Sequence, residues 1–294
     1  MSENFNYEEV FMGVMEGKPK TYKITFKEDY RLKRLTESLK LKKGKILDIG
    51  CGGGVLTESL YYYFPRVKVY GCDVSKQAIG YAKKFGSGRV TYGVIQKNKL
   101  PYKNNLFDAC VCLDVMEHIL DVDLFLNEVK RILKKNGKFF LLVPCEGEPF
   151  TFTWFFQKIG LGSKLTFKNW GHIHPEFTHH SVERLLKKHK FFIVKRSYSE
   201  HVLYQLTNLI LYFIPKELMT LFLGKKASFY TDSGLVKAKT KGKEVKDPIM
   251  LFRNVWFLFS KLLRVSTAWE LELFKRVPFM AWKLHVLAKN DKTN

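Results

Sequence analysis

The run Asp48-Ile49-Gly50-Cys51-Gly52-Gly53-Gly54 sets a carboxylate two residues ahead of a glycine-rich turn, and a second acid, Asp73, follows 23 positions after Gly50. Glycines at 50 and 52 permit positive φ and let a ligand approach the backbone closely. A dinucleotide-binding turn needs a third glycine where this chain has Val55, so the spacing is GxGxG and not GxGxxG. A carboxylate at position 48 would repel a pyrophosphate; it suits a ligand that carries an ammonium group and no phosphate. Asp73 ends the apolar run Val69–Cys72 at the distance where an acid accepts hydrogen bonds from ribose hydroxyls, and Ser75 can cap the helix that follows. Three histidines, His118, His172 and His174, are candidates for a general base, since imidazole titrates near neutral pH. Their spacings do not support a metal site, and no CxxC pair exists among the five cysteines.

These residues need elements to position them. Strand-like runs at Lys45–Ile49, Val67–Cys72, Val90–Ile95, Phe107–Leu113 and Phe139–Val143 alternate with helical patterns at Val55–Phe64, Lys76–Phe85 and Leu120–Leu133. An amphipathic helix is expected within Phe26–Lys43. A helix at Ser181–Lys188, a strand at Phe191–Tyr198 and a last strand at Met280–Ala288 follow a loop over Cys145–Glu176. The βαβα rhythm implies a parallel sheet with helices on both faces. Its glycine turn would lie at the carboxyl edge, where such sheets bind nucleotides. S-adenosylmethionine, a nucleoside with an ammonium group and no phosphate, fits that turn and its two acids.

Ile46–Gly54 resembles the first motif of the class I methyltransferases of the type-11 group, a group that includes ubiquinone-pathway and many small-molecule enzymes. Leu100-Pro101-Tyr102 with Leu106-Phe107-Asp108 is similar to the group's "LPF…FD" segment. Asp114-Val115-Met116-Glu117-His118 is similar to its "DVLEH" motif, and Leu133–Val143, with a turn at Asn136-Gly137, to its "LKPGG" turn and fifth strand. Trp170-Gly171-His172-Ile173-His174 with Phe177-Thr178 is similar to its "GH…FT" stretch. The resemblance implies a doubly wound, mostly parallel, seven-stranded α/β sheet of Rossmann-like type, with S-adenosylmethionine as cofactor. It implies cofactor contacts from Asp48, Gly50, Cys51, Gly52, Asp73, Val74, Gln96, Lys97, Leu113 and Asp114. Gln96 stands where the group usually has an adenine-binding acid; its amide carbonyl can accept the same hydrogen bond, and Lys97 cannot. Glu117 is expected to orient its loop, and His179-His180 to lie on the surface at a helix start.

The expected organisation is an N-terminal helical segment over 1–44, a core over 45–200, a helical insertion over 201–277 and the last strand and tail over 278–294. The insertion is not needed by the core. Val202–Ile214 is nearly all apolar, with a narrow polar stripe of His201, Gln205, Asn208, Tyr212 and Lys216. Ile249–Arg264 sets Arg253, Lys261 and Arg264 on one face and Trp256, Phe259 and several leucines on the other. Gly224–Asp247 between them carries seven lysines and three acids. Neither apolar stretch is long enough to span a bilayer. Such segments suit an anionic membrane surface, a cap over an apolar acceptor pocket, or a dimer contact.

The net charge of +22 fits a negatively charged environment, membrane or nucleic acid. RNA methylation is the alternative that this charge favours, against which stands the absence of a stacking platform of lysines interleaved with aromatics. A non-catalytic cofactor binder is the other alternative. The expected acceptor is a small or lipid-linked molecule methylated at oxygen or carbon. The first twenty residues lack an apolar h-region, and the cysteines read as reduced thiols. Both point to a cytoplasmic protein, peripheral on the membrane's inner face under the membrane reading.

Overall fold

The fold is taken from a computed structural model, which describes residues 29–96, 98–160, 171–210 and 267–291. Helix α1 (Tyr30–Leu39) starts where the Asp29 side chain accepts from the Arg31 N–H at 2.8 Å, and stops at Lys40 in the left-handed region. It buries Leu32, Leu35 and Leu39. Then come β1 (Gly44–Ile49), α2 (Val55–Tyr63), β2 (Val67–Asp73), α3 (Lys76–Phe85), β3 (Thr91–Val94) and β4 (Phe107–Leu113). A single 3₁₀ turn, Met116–His118, leads to α4 (Val122–Ile132), β5 (Leu133–Pro144), α5 (Phe152–Lys158), α6 (His179–Lys188), β6 (Phe191–Ser199), α7 (Val202–Asn208) and β7 (Lys283–Asn290).

The strands form one seven-stranded sheet in the order β3-β2-β1-β4-β5-β7-β6. Strands β1 to β5 pair in parallel, and β7 runs antiparallel between β5 and β6. Successive residues of a strand face opposite sides, and the core divides accordingly. Leu47, Ile49, Cys110, Cys112, Leu141 and Val143 pack with α4 and α6 on one face. Ile46, Val69, Val111, Phe140 and Leu142 pack with α1, α2 and α3 on the other. Both faces are covered, which is why these strands are almost wholly apolar.

Three expectations change in detail. Strand β5 begins at Leu133, ahead of the expected Phe139: Leu133 pairs with Phe107, and the register shifts before Ala109 meets Lys138. Asn136 at φ 60° takes up that shift, so Asn136-Gly137 is an irregularity inside the strand. Strand β7 begins at Lys283 and not at Met280, because Met280 sits at φ 59° and the Trp282 N–H is bonded to the Glu200 carbonyl. Helix α6 begins two residues early, at His179, where Thr178 and Ser181 cap each other. His179 is therefore buried against Tyr198, with ring centroids 5.0 Å apart, and is not a surface residue.

Helix α7 follows β6. Its polar stripe faces inward: Gln205 is buried, donates to the carbonyls of Glu200 and Met280 at 2.8 Å, and accepts from the Phe152 N–H. Leu203 and Leu206 on its other face, and Ile210 beyond it, are exposed. Glu270, in a helical stretch over 267–273, accepts from the N–H groups of Leu203 and Tyr204 and so caps α7. Lys97, Trp170, Tyr212, Lys216, the second amphipathic stretch Ile249–Arg264 and the lysine-rich segment lie outside the described residues. Among the described residues no helix is long and apolar enough to cross a membrane.

Candidate functional site

The turn after β1 is pinned to the end of β2. The N–H groups of Gly50 and Cys51 both donate to the Cys72 carbonyl, at 2.8 and 3.0 Å. Gly50 has φ 77°, and a Cβ there would stand 2.2 Å from the Val115 side chain, so the position admits only glycine. Gly52, at φ 51°, has nothing among the described residues within 4 Å of where a Cβ would point; this face of the turn is open to a ligand. Asp73 closes the other side. Its carboxylate accepts from the Gly52 N–H at 2.8 Å and the Ser75 N–H at 2.9 Å, while its backbone carbonyl accepts from Ile95. Asp48 lies beneath the turn, 3% exposed, and accepts from the Thr57 hydroxyl at 2.7 Å. Burial pushes its carboxyl group up to about 7 despite that hydrogen bond, and the nearby Asp73 adds to the rise. Cys51 is buried at the turn.

The other expected cofactor residues flank this cradle. Val74 and Gln96 are exposed beside it, with Gln96 bridged to Lys99. On the far side of β1, Leu113 ends β4 and Asp114 follows at φ 53°. Here the structure adds partners that no motif signals. Arg31 of α1 reaches Asp114 at 2.8 Å, and Lys283 of β7 reaches it at 2.9 Å. Against the upward push of burial, these two cations hold the Asp114 carboxyl well below the usual carboxylate range. Lys283 also meets the buried Glu200, which accepts from the Tyr30 hydroxyl at 2.6 Å. This network ties α1, the end of β4 and the start of β7 together at the carboxyl edge.

The second cluster lies next along that edge. His118 comes from the 3₁₀ turn after β4, His172 from the loop before α6, and their rings meet edge to face at 5.0 Å. The two Nε2 atoms are each 3.9 Å from Glu117 Oε1. The Nδ1 of His118 lies 3.0 Å from the Gly171 carbonyl, and the Nδ1 of His172 is hydrogen-bonded to Glu146. The Ile173 N–H donates to the Glu117 carbonyl, which locks the loop to the turn. Both carboxyl oxygens of Glu117, and Oε2 of Glu146, are buried without a hydrogen-bond partner among the described residues. Burial, then the charge of Asp114, pushes the Glu117 proton affinity well up, whereas burial and the neighbouring His172 push His118 down to about 4. The three ligand atoms of Glu117, His118 and His172 lie within 4.8 Å of one another. Such a group can pass a proton or hold a divalent cation. Histidine spacing gave no sign of it, because His172 arrives from a loop over 50 residues away.

His174 stands apart. It stacks on Phe177 at 4.6 Å, with Nε2 2.8 Å from the Ile119 carbonyl and Nδ1 2.9 Å from Glu176. Glu146, which is hydrogen-bonded to His172, was missed in the sequence because nothing in its loop suggests which side chain it meets.

Comparison with known proteins supplies the context for this edge. Residues 47–141 match the family described as "Methyltransferase domain". A ubiquinone biosynthesis O-methyltransferase from Pelagibacter ubique is 38% identical over 104 residues, covering 34% of this chain and 42% of that protein. A ubiquinone/menaquinone biosynthesis C-methyltransferase from Desulfotalea psychrophila is 30% identical over 122 residues, covering 40% of this chain and 50% of the other. The chain thus spans half or less of the length of these relatives. Among solved structures, geranyl diphosphate C-methyltransferase from Streptomyces coelicolor, in complex with S-adenosyl-L-homocysteine, superposes with a TM-score of 0.53. Sequence identity is 14%, and the match covers 90% of this chain and 76% of that one. Motif, sheet order and matched segment agree: residues 47–141 are similar to the methyltransferase-domain family, and the sheet has the fold of class I S-adenosylmethionine-dependent methyltransferases.

Proposed function

We propose that the protein transfers the methyl group of S-adenosylmethionine to a hydroxyl of a small or lipid-linked acceptor. The observation that carries this is the cradle at Gly52, open on the ligand side and bordered by Asp73 and Asp48, one strand away from a buried histidine–glutamate cluster. Asp73 would take the ribose hydroxyls and Asp48 the ammonium end; Cys51, Val74, Gln96, Lys97, Leu113 and Asp114 would border the ligand. The cofactor supplies an activated methyl group, so the protein must chiefly align the acceptor and exclude water. An oxygen acceptor must lose its proton as it attacks. His172 is the base in this reading, His118 its neighbour, and His174 orders the loop. The resemblance to ubiquinone-pathway enzymes supports an acceptor with an apolar tail.

The insertion over 201–277 serves, in this reading, as a cap that brings the enzyme peripherally to the cytoplasmic face of an anionic membrane. Exposed Leu203, Leu206, Ile210, Trp269 and Leu273, together with the net charge of +22, support it. Incubation with methyl-labelled cofactor and either a lipid extract or total RNA tests the main reading: label is expected in the lipid fraction. Label in RNA, or cofactor binding with no transfer to either, would replace it with one of the alternatives. Flotation with anionic vesicles at low salt, lost at high salt, is expected for the membrane contact; protein that stays at the bottom of the gradient leaves only a cap or a dimer contact.

A further inference from the structure

We infer that Glu146 is a positioning residue for methyl transfer: its buried carboxyl group holds His172 by Nδ1, so that Nε2 faces the cluster behind β4 as the proton acceptor. The inference rests on the hydroxyl-methylation reading above and assigns a residue which that reading leaves without a task.

Glu146 is 1% exposed and His172 8%, so their hydrogen bond is shielded from water. The glutamate is itself fixed. It stands two residues after Pro144, the end of β5, and its backbone carbonyl accepts from Thr153 Oγ1 and Gln157 Nε2 of α5 at 3.2 Å. The ring is fixed from the other side, since the Ile173 N–H is bonded to the Glu117 carbonyl. A carboxylate can only accept, so Nδ1 carries the proton and the lone pair lies on Nε2. That atom is 3.9 Å from Glu117 Oε1, in the space shared with His118. In the transfer step the acceptor hydroxyl gives its proton to Nε2 while its oxygen forms the new bond to the methyl carbon. The carbon–sulfur bond breaks, and its electron pair stays on the sulfur. The imidazolium so formed lies against the Glu146 carboxylate, which steadies its charge.

The test uses the full-length protein, labelled cofactor and a 4-alkylcatechol in detergent micelles as acceptor probe. Glu146→Leu is expected to lower kcat about 10²-fold, with cofactor affinity unchanged, and Glu146→Gln, whose amide oxygen still accepts from Nδ1, to recover about tenfold of that. In a His172→Gln background, Glu146→Leu should cost nothing further. Nitrogen-15 spectra of labelled histidine should show His172 with Nδ1 protonated in the wild type and in Glu146→Gln, and not in Glu146→Leu. Far-ultraviolet circular dichroism guards against misfolding of the leucine variant, and the wild-type spectrum tests the tautomer without any variant: a proton on Nε2 there overturns the inference. Equal kcat in all three forms overturns the inference. So does a transfer activity that a chelator abolishes and a divalent cation restores, for His172 would then be a ligand and not a base. A wild type that binds cofactor yet methylates no probe removes the parent reading, and with it any base for Glu146 to position.

Discussion

The two halves of the carboxyl edge are built on opposite rules. At the β1–β2 end the polar groups are paired within the backbone: Asp73 is bonded to the Gly52 and Ser75 N–H groups, and the Cys72 carbonyl takes two more. Past β4, two glutamates are buried with oxygens that have no hydrogen-bond partner among the described residues, and two imidazoles face one of them. A buried polar group without a partner costs about 1–3 kcal/mol. The first half is a preformed cradle that needs no ligand to hold its shape; the second stores cost in buried polar groups, and burial has moved the proton affinities of Glu117 and His118 among them. That division matches a reaction in which the cofactor is merely held and the acceptor must be activated.

The largest effect should fall on the second half. His172→Ala is expected to lower turnover about 10²–10⁴-fold while calorimetry finds cofactor affinity unchanged. His174→Ala, with one ring nitrogen on Glu176 and the other on the Ile119 carbonyl, should cost under about tenfold. Reversed magnitudes would break the comparison, because the base would then lie outside the buried cluster.

On the cradle side, Asp73→Ala should weaken cofactor binding by about 1.5–3 kcal/mol, the range for hydrogen bonds to a charged group. Turnover at saturating cofactor should change little. A variant that binds normally but turns over slowly would show that the two halves are not separable in this way.

Much of the first half was legible in the sequence because local rules govern it. A glycine between an apolar strand and a helix marks a turn, and an acid at the next strand end marks the ribose side. Every strand from β1 to β7 was located, since strands covered on both faces read as continuous apolar runs. The second half was legible only in part. His118 and His172 were nominated singly, yet their meeting with Glu117 and Glu146 depends on a loop returning from beyond β5. The same is true of Arg31 and Lys283, which reach Asp114 from opposite ends of the chain. Lysine and arginine on amphipathic elements read as solvated faces, and burial beside a carboxylate is a tertiary fact. The α7 stripe was legible as a pattern but not in its direction: Gln205 faces inward because three backbone groups there need partners, which periodicity alone does not register.

The smallest expected effect tests whether the cradle is as inert as its hydrogen bonds suggest, for Asp48 is a carboxyl group in it that burial perturbs strongly. Burial raises its carboxyl to about 7, so without ligand it is largely protonated at pH 6. A ligand with an ammonium group favours the ionised form. Cofactor affinity should therefore rise between pH 6 and 7.5, by up to about tenfold for each unit below the raised value. Asp48→Asn should flatten the profile. Stability runs the other way: a folded-state value above the unfolded one stabilises fully at low pH, below the ordinary aspartate range, and the gain is lost as pH rises through about 7. The ligand-free protein should thus melt lower at pH 8 than at pH 6 by a margin that Asp48→Asn reduces. Calorimetric titration across this range, with the melting curves beside it, separates the two. An affinity that stays flat in the wild type would mean that Asp48 keeps its proton when the cofactor binds, and that the ammonium group is met by backbone carbonyls of the turn.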